Sequence, residues 1–291
     1  MADYSGEVQI ARKKMSPKQI LIAIVKYVVL AFTAFASLVP IVVVVFGAFK
    51  DSEEFKTSNV LALPKSWFNF KNFVTAFVDG NMATGFINTI IIVVASVVLT
   101  IAFGTMTAYV INRFKYKFSS VVNSAFLFAS LIPSITMQMS IFRLMSGLNL
   151  IDSKLGMIMM FAGTDVISIY IFVQFLENIP VSLDESAIMD GASYFTIYGR
   201  ILLPLMKPAM VTVLILKGVG FYNEFYTPKL YLTSPENYVV STALFKFKGP
   251  YSTQWEVILA AIIITVLPAF IIFILLQKQI YSGLTNGAVK E

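Results

Sequence analysis

Ser182-Leu183-Asp184-Glu185-Ser186-Ala187-Ile188-Met189-Asp190-Gly191, running on to Ile201-Leu202-Leu203-Pro204, is a short polar-to-amphipathic stretch between the fourth and fifth of six long apolar runs. A segment so placed lies on one face of a membrane protein, and its residues predict a helix–turn–helix there. Pro180 stops whatever precedes it. Ser182 is a good N-cap, and Glu185 three residues later completes a capping box in which side chains satisfy exposed backbone donors. Asp184 and Glu185 also complement the positive end of the helix dipole. Gly191 breaks the segment, because glycine enters a left-handed turn without steric cost. A second short helix is expected to follow, with Ile197 and Ile201 on one side, until Pro204 opens the next span. These features alone fit an amphipathic interfacial loop as well as a docking element.

The rest of the composition agrees with a membrane setting. Of 291 residues, 57% are hydrophobic and only 13% charged, with mean hydropathy +0.79. Such a chain is an integral membrane protein. It has no Cys and no His, which removes thiol catalysis, disulfides, imidazole bases and the usual transition-metal clusters. No Gly-rich loop ending in Gly-Lys-Ser or Gly-Lys-Thr is present, so the chain has no means of binding and hydrolysing a nucleotide. The net charge of +6 could point to nucleic acid, but the basic residues sit at the ends of apolar runs, where membrane orientation explains them.

The expected fold is all-α and polytopic, with six transmembrane helices at about 27–49, 84–111, 118–142, 155–176, 205–226 and 257–277. Residues 1–19 form a polar leader carrying Arg12, Lys13, Lys14 and Lys18, and residues 282–291 form a tail. Ala34-Phe35-Ala36 resembles a signal-cleavage site, yet the uncharged run continues to Phe49, long enough to cross a hydrocarbon core of ~30 Å. Pro40, Pro133 and Pro268 are expected to kink spans 1, 3 and 6. The polar segment 50–81, rich in Phe and Trp, suits an interface. Arg113, Lys115 and Lys117 form a short basic turn after span 2. Lys and Arg number 11 on the side of the termini and 9 on the other. The charges that weigh most, in short connections and beside the first helix, favour both termini in the cytoplasm.

The order Glu185-Ser186-Ala187, three residues, Gly191, nine residues, Ile201-x-Leu203-Pro204 resembles the EAA loop of the membrane-spanning permease subunits of ABC importers. All spacings match over 20 positions. Ser186 stands where the family most often has Ala, a change between small residues. The likeness extends to Asn88-Thr89, Ala108-Tyr109 and Arg113-Phe114, and to the ending Gly283-x-x-x-Gly287-Ala288-x-Lys290. It implies that residues 180–204 hold a coupling helix seated in a groove of a cytoplasmic ATPase. Asp184, Glu185, Ser186, Ala187, Asp190, Gly191, Ile201 and Pro204 are its candidate residues. The same resemblance implies a separate ABC ATPase dimer that binds ATP and Mg, a second and different permease subunit, and an extracellular or periplasmic solute-binding protein. No cofactor is expected in this chain.

Within that family the chain is most similar to the carbohydrate branch, the maltose-type second permease subunit. The likeness rests on Phe221-Tyr222-Asn223-Glu224 and on the loop from Pro228 to Trp255, read as exposed and reaching the binding protein. Aromatic faces and Asn or carboxylate groups suit a pyranose, so Phe221, Tyr222, Asn223 and Glu224 are candidate substrate-path residues together with Gln138 and Asp165. Each has a structural alternative: an interhelical hydrogen bond for Gln138, a buried partner for Asp165, an aromatic belt for 221–224. Lys217 and Glu224 share a face but lie too far apart along the helix to pair, so each needs another partner. Rival functions are an ABC permease for a polyamine, phosphate or amino acid, an ion-coupled secondary transporter using Asp165, Lys217 and Glu224, and a membrane scaffold without transport.

Overall fold

The structure is a computed structural model describing residues 17–114, 119–163, 165–249 and 252–288. Arg12, Lys13, Lys14, Lys115, Lys117 and Lys290 lie outside the described residues. In chain order the helices are α1 (Pro17–Phe49), α2 (Ser52–Thr57), α3 (Lys71–Asp79), α4 (Met82–Arg113), α5 (Ser119–Leu131), α6 (Ser134–Gly147), α7 (Lys154–Ala162), α8 (Val166–Glu177) and α9 (Ser182–Met189). Then come α10 (Tyr194–Thr196), a π-helical turn Ile197–Leu202, α11 (Leu203–Leu205), α12 (Lys207–Asn223), α13 (Tyr226–Tyr231), α14 (Val240–Ala243), a 3₁₀ turn Leu244–Phe247 and α15 (Trp255–Ala288). Among the described residues there is no strand, only an isolated bridge between Lys248 and Thr253.

Among the described residues, three helices are each long and apolar enough to cross a membrane: Pro17–Phe49, Met82–Arg113 and Trp255–Leu275. Two bent pairs satisfy the same condition jointly, α7 with α8 at 45° and Tyr194–Leu205 with α12 at 71°. The expected span at 118–142 is instead two helices, α5 and α6, parted at Pro133. Proline disfavours helical geometry in the residue before it and lacks the amide hydrogen that would continue the ladder, so the kink becomes a break. Pro40 and Pro268, by contrast, lie inside continuous helices. Span 5 opens at Lys207 rather than Leu205, because Met206 is the corner of the 71° bend.

α4 is the axis of the bundle, packing against α7, α8, α12 and α14. Its buried residues Gly85, Asn88, Thr89, Ile92 and Ser96 recur at spacings of three and four, one face of a 3.6-residue helix. Gly104 lets α8 approach closely: a Cβ there would lie 2.9 Å from the Phe172 ring. At one end, Ala108, Tyr109, Phe172, Leu176, Ala187, Ile197, Leu202, Met206 and Val213 form a core that joins α4, α8, α12 and the 182–205 segment. At the other, Ala48, Ala76, Met82, Val240, Phe247, Val257 and Ala261 form a second. The end of α1 is tied there by Asn72, whose Nδ2 donates to the carbonyls of Ala48 (2.8 Å) and Lys50 (2.7 Å). Most of α1 is exposed on all sides, as expected of a helix whose surroundings are lipid or another chain.

Candidate functional site

α9 begins differently from the capping box expected of it. Val181 already has helical geometry (φ −64°, ψ −26°), and Ser182 is the first helical residue rather than the cap. The early amides are satisfied by backbone instead: Leu183 N–H donates to Pro180 O, and those of Asp184 and Glu185 donate to Val181 O at 2.9 and 3.1 Å. The helix ends as the sequence predicts. Gly191 has φ +80°, its N–H donates to Ile188 O (2.9 Å), and the Ala192 N–H donates to Ala187 O (2.9 Å). These two bonds are a Schellman motif, which requires a left-handed residue at the Gly191 position.

The two faces of α9 differ. Asp184 and Ala187 point inward, while Glu185, Ser186, Ile188, Met189 and Asp190 are exposed. Nε of Arg113, at the end of α4, lies 2.6 Å from Oδ2 of Asp184, with both side chains under 10% exposed. Arg113 Nη2 also donates to Ile179 O (2.9 Å), and Nη1 to Asn112 Oδ1 (2.9 Å). The outward face gathers Leu183, Ile188, Met189 (88% exposed), Tyr194 and Phe195 (83%) beside Glu185 and Asp190. An apolar cluster rimmed by carboxylates and mounted on a buried core has the character of an interaction surface. Ser193 caps the following segment, accepting from Thr196 N–H at 3.3 Å. Ile197 is buried with Ile201 packed beside it, as their spacing predicts. The π-helical turn precedes Pro204, whose missing N–H interrupts the ordinary ladder: the Leu203 amide reaches back to Tyr198 O.

The six candidate substrate-path residues do not converge. Gln138 Oε1 accepts from the Tyr231 hydroxyl at 3.3 Å. Asp165 Oδ2 lies 2.8 Å from Lys217 Nζ and accepts from the Ser168 hydroxyl, which gives both charged groups their partners. Phe221 stacks on Phe161, ring centroids 4.6 Å apart, and Tyr222 donates to Thr265 O at 2.7 Å. Glu224 Oε1 accepts from the N–H (3.0 Å) and hydroxyl of Thr227, holding the first turn of α13. Tyr222 and Asn223 share a cavity of about 280 Å³ with Phe225, Ser241, Phe245 and Thr265. Asp165 borders a separate, mostly apolar pocket of about 540 Å³ with Thr100, Phe103, Gly104 and Phe126.

The loop read as exposed between Pro228 and Trp255 is largely folded inward. Tyr231, Leu232, Val239, Val240, Thr242 and Ala243 are buried. Its polar backbone is satisfied by side chains from elsewhere: Asn88 Nδ2 donates to Glu236 O (2.8 Å) and Tyr238 O (2.9 Å), and Thr89 Oγ1 accepts from Val240 N–H (2.9 Å). Asp152, which the sequence reading passed over, holds the rest. Its Oδ1 accepts from the amides of Thr233 (2.8 Å) and Ser234 (3.0 Å), its Oδ2 from the Ser234 hydroxyl, and its carbonyl from Asn237 Nδ2 (2.7 Å). The one legible signal was an Asp after Leu150-Ile151, a residue type that tolerates its φ of +57°.

Burial pushes the Asp152 carboxyl up, but hydrogen bonds from Ser234 and Thr233 outweigh it and hold it below the ordinary 3.8. A folded-state value below the unfolded one means that this contribution is fully present above about 3.8 and is lost as pH falls through the lower, folded value. Protease cleavage within 228–254 should therefore rise below pH ~3.8. Asp152→Asn should raise cleavage at neutral pH and flatten that dependence. Equal cleavage of both chains across the range would show that Asp152 does not hold the loop.

Comparison with known proteins agrees with this architecture. Residues 100–286 match the family model described as binding-protein-dependent transport system inner membrane component. A "probable starch degradation products transport system permease protein" of Thermoanaerobacterium thermosulfurigenes is 31% identical, the match covering 87% of this chain and 91% of that one. The arabinooligosaccharides transport system permease protein of Bacillus subtilis (strain 168) is also 31% identical, over 87% of this chain and 90% of its own. In structure, a chain of a bacterial ABC transporter involved in the import of the acidic polysaccharide alginate superposes with a TM-score of 0.80. That match covers 91% of this chain and 98% of the other at 23% identity, a likeness of fold. The helical bundle, the Gly191-terminated surface helix and a family match over residues 100–286 together assign the chain: it belongs to the binding-protein-dependent transport system inner membrane components, the permease subunits of ABC importers.

Proposed function

We propose that this permease subunit forms one half of a translocation path for oligosaccharides and is driven through residues 182–204 by a separate ATPase dimer. Six spans within 20–281, the third made of α5 and α6, would place both the leader 1–19 and the tail 282–291 in the cytoplasm with the coupling segment. A second, different permease subunit completes the path, and a solute-binding protein delivers sugar to the opposite face. Sugar as cargo is supported by the names of the relatives above, which carry starch products and arabinooligosaccharides.

The observation that carries the coupling role is the mounting of α9. Its inner face is fixed to α4 by a buried ion pair, and its outer face presents apolar side chains between carboxylates. A helix of two turns held this way moves as a unit, so closure of the ATPase dimer becomes rigid-body movement of the spans. Energy comes from ATP bound in the partner, and this chain, a transport subunit rather than an enzyme, supplies the linkage.

Reconstitution of the chain with its second permease, ATPase and binding protein in proteoliposomes tests the reading. Uptake of labelled oligosaccharide should require ATP and all four components. Glu185→Lys should weaken retention of the ATPase on the purified permease pair by about tenfold, the loss of one charged contact of ~1.4 kcal/mol. Uptake that persists without the ATPase would overturn the proposal.

A further inference from the structure

We infer that α4 is a transmission rod joining the coupling helix at one end to the folded loop 232–240 at the other, with Arg113, Asn88 and Thr89 as its positioning residues. The inference rests on the importer reading above and adds to it the path by which the two faces of the membrane communicate.

Both ends of α4 are fastened by buried polar contacts of the kind that cannot be dropped without leaving a desolvated group unpaired. At the C-terminal end, Arg113 holds Asp184 of α9 at 2.6 Å and the carbonyl of Ile179, just before α9, at 2.9 Å. At the N-terminal end, Asn88 is 1% exposed and Thr89 is 3% exposed. Asn88 binds the carbonyls of Glu236 and Tyr238, and Thr89 accepts the amide of Val240. Gly85, one turn earlier on the same face, brings the backbones together: a Cβ there would lie 3.2 Å from Val240 Cα. Three adjacent positions on one face of α4 thus grip a loop that has no regular structure of its own between Leu232 and Val239.

Between these grips the helix is continuous. Twenty-five residues separate Asn88 from Arg113, about 37 Å along the axis, comparable to the thickness of a bilayer. Of the three helices among the described residues that could cross a membrane alone, α4 is the one without a proline; α1 contains Pro40 and α15 contains Pro268. Two further candidate spans are bent by 45° and 71°, and α5 and α6 are parted at Pro133. Kinks in helices arise at such prolines and breaks, so α4 is the member that transmits an axial or tilting movement with least loss. A displacement imposed on α9 reaches loop 232–240 through one element, in either direction, as reciprocity of coupling requires.

The test uses the assembled importer in nanodiscs and compares ATP hydrolysis with and without the binding protein. Asn88→Ala and Arg113→Ala should each reduce the stimulation ratio about fivefold or more, Arg113→Lys should recover part of it, and the Asn88→Ala/Arg113→Ala double should lose no more than the larger single. Losses that multiply would mean two independent sites and would overturn the rod. Should a variant fail to assemble, the chain's lack of cysteine allows Glu236→Cys to act as a reporter in an otherwise unaltered complex. Its reaction rate with a membrane-impermeant maleimide should change at least threefold on trapping nucleotide in the ATPase. An unchanging rate would equally refute the inference. An unaltered complex whose ATPase ignores the binding protein would count against the importer reading instead.

Discussion

Gly191→Val should leave the chain inserted and folded but separate ATP hydrolysis from solute uptake, lowering transport by tenfold or more at similar ATPase activity. The backbone at Gly191 has φ +80°, a region that costs an L-residue roughly 1–2 kcal/mol and a β-branched one more. Space is not the obstacle, since nothing lies within 4 Å of a Cβ built there. What fails is the pair of bonds from the Gly191 and Ala192 amides to Ile188 and Ala187. Without them the chain leaves α9 in another direction, and the apolar cluster that includes Met189, Tyr194 and Phe195 comes apart. Gly191→Asn is the matched control, because Asn tolerates the left-handed region, and it should retain most coupling. The measurement is ATP consumed per solute imported in proteoliposomes. A normal ratio for Gly191→Val would exclude the turn as part of the coupling device.

Lys217→Met should destabilise the helical bundle. It strips the cation from Asp165, whose carboxylate lies 2.8 Å from Lys217 Nζ with side chains 15% and 21% exposed. Breaking a fully buried pair costs about 3–5 kcal/mol, and the residual exposure here reduces that to about 2 kcal/mol. The Ser168 hydroxyl, which donates to the same carboxylate, cannot supply the missing charge. Adding Asp165→Asn should recover most of the loss, because the isolated charge is then gone. Thermal unfolding of the purified complex checks both steps. A single variant as stable as the parent, or a double variant less stable than the single, would show that the pair is incidental.

The bundle was legible because long apolar runs have few structural options in a membrane, and the Gly191 turn because its backbone is nearly reserved for glycine. Other features depended on neighbours distant in sequence. Arg113 looked like a topology-setting charge, and nothing local distinguishes that from one end of a buried pair with a residue 71 positions later. Lys217 needs a partner by its depth in the membrane, and for Asp165 a structural partner is one of two readings beside a transport-path role, yet the two are 52 residues apart in sequence and pair with each other. Ser182 and Glu185 satisfied the capping pattern, but Val181 had already turned into the helix and its carbonyl took the amides. Loop 228–254 reads as exposed by the resemblance, whereas Tyr231, Leu232, Val239 and Val240 are buried and Asn88, Thr89 and Asp152 bond its backbone. Residues 221–224 are adjacent in sequence, but Phe221, Tyr222 and Glu224 make contacts with three different neighbours.

The corner at Met206 has mechanical leverage. The segment 194–205 and α12 meet there at 71°, the shape of a bell-crank, in which sliding of the short arm becomes swing of the long one. Lys217 sits eleven residues beyond the corner, about 16 Å along α12, so a swing of about 10° would carry its ammonium about 3 Å. A swing of that size would part its ammonium from Asp165, 2.8 Å away, so the angle at the corner and the integrity of the ion pair are geometrically tied.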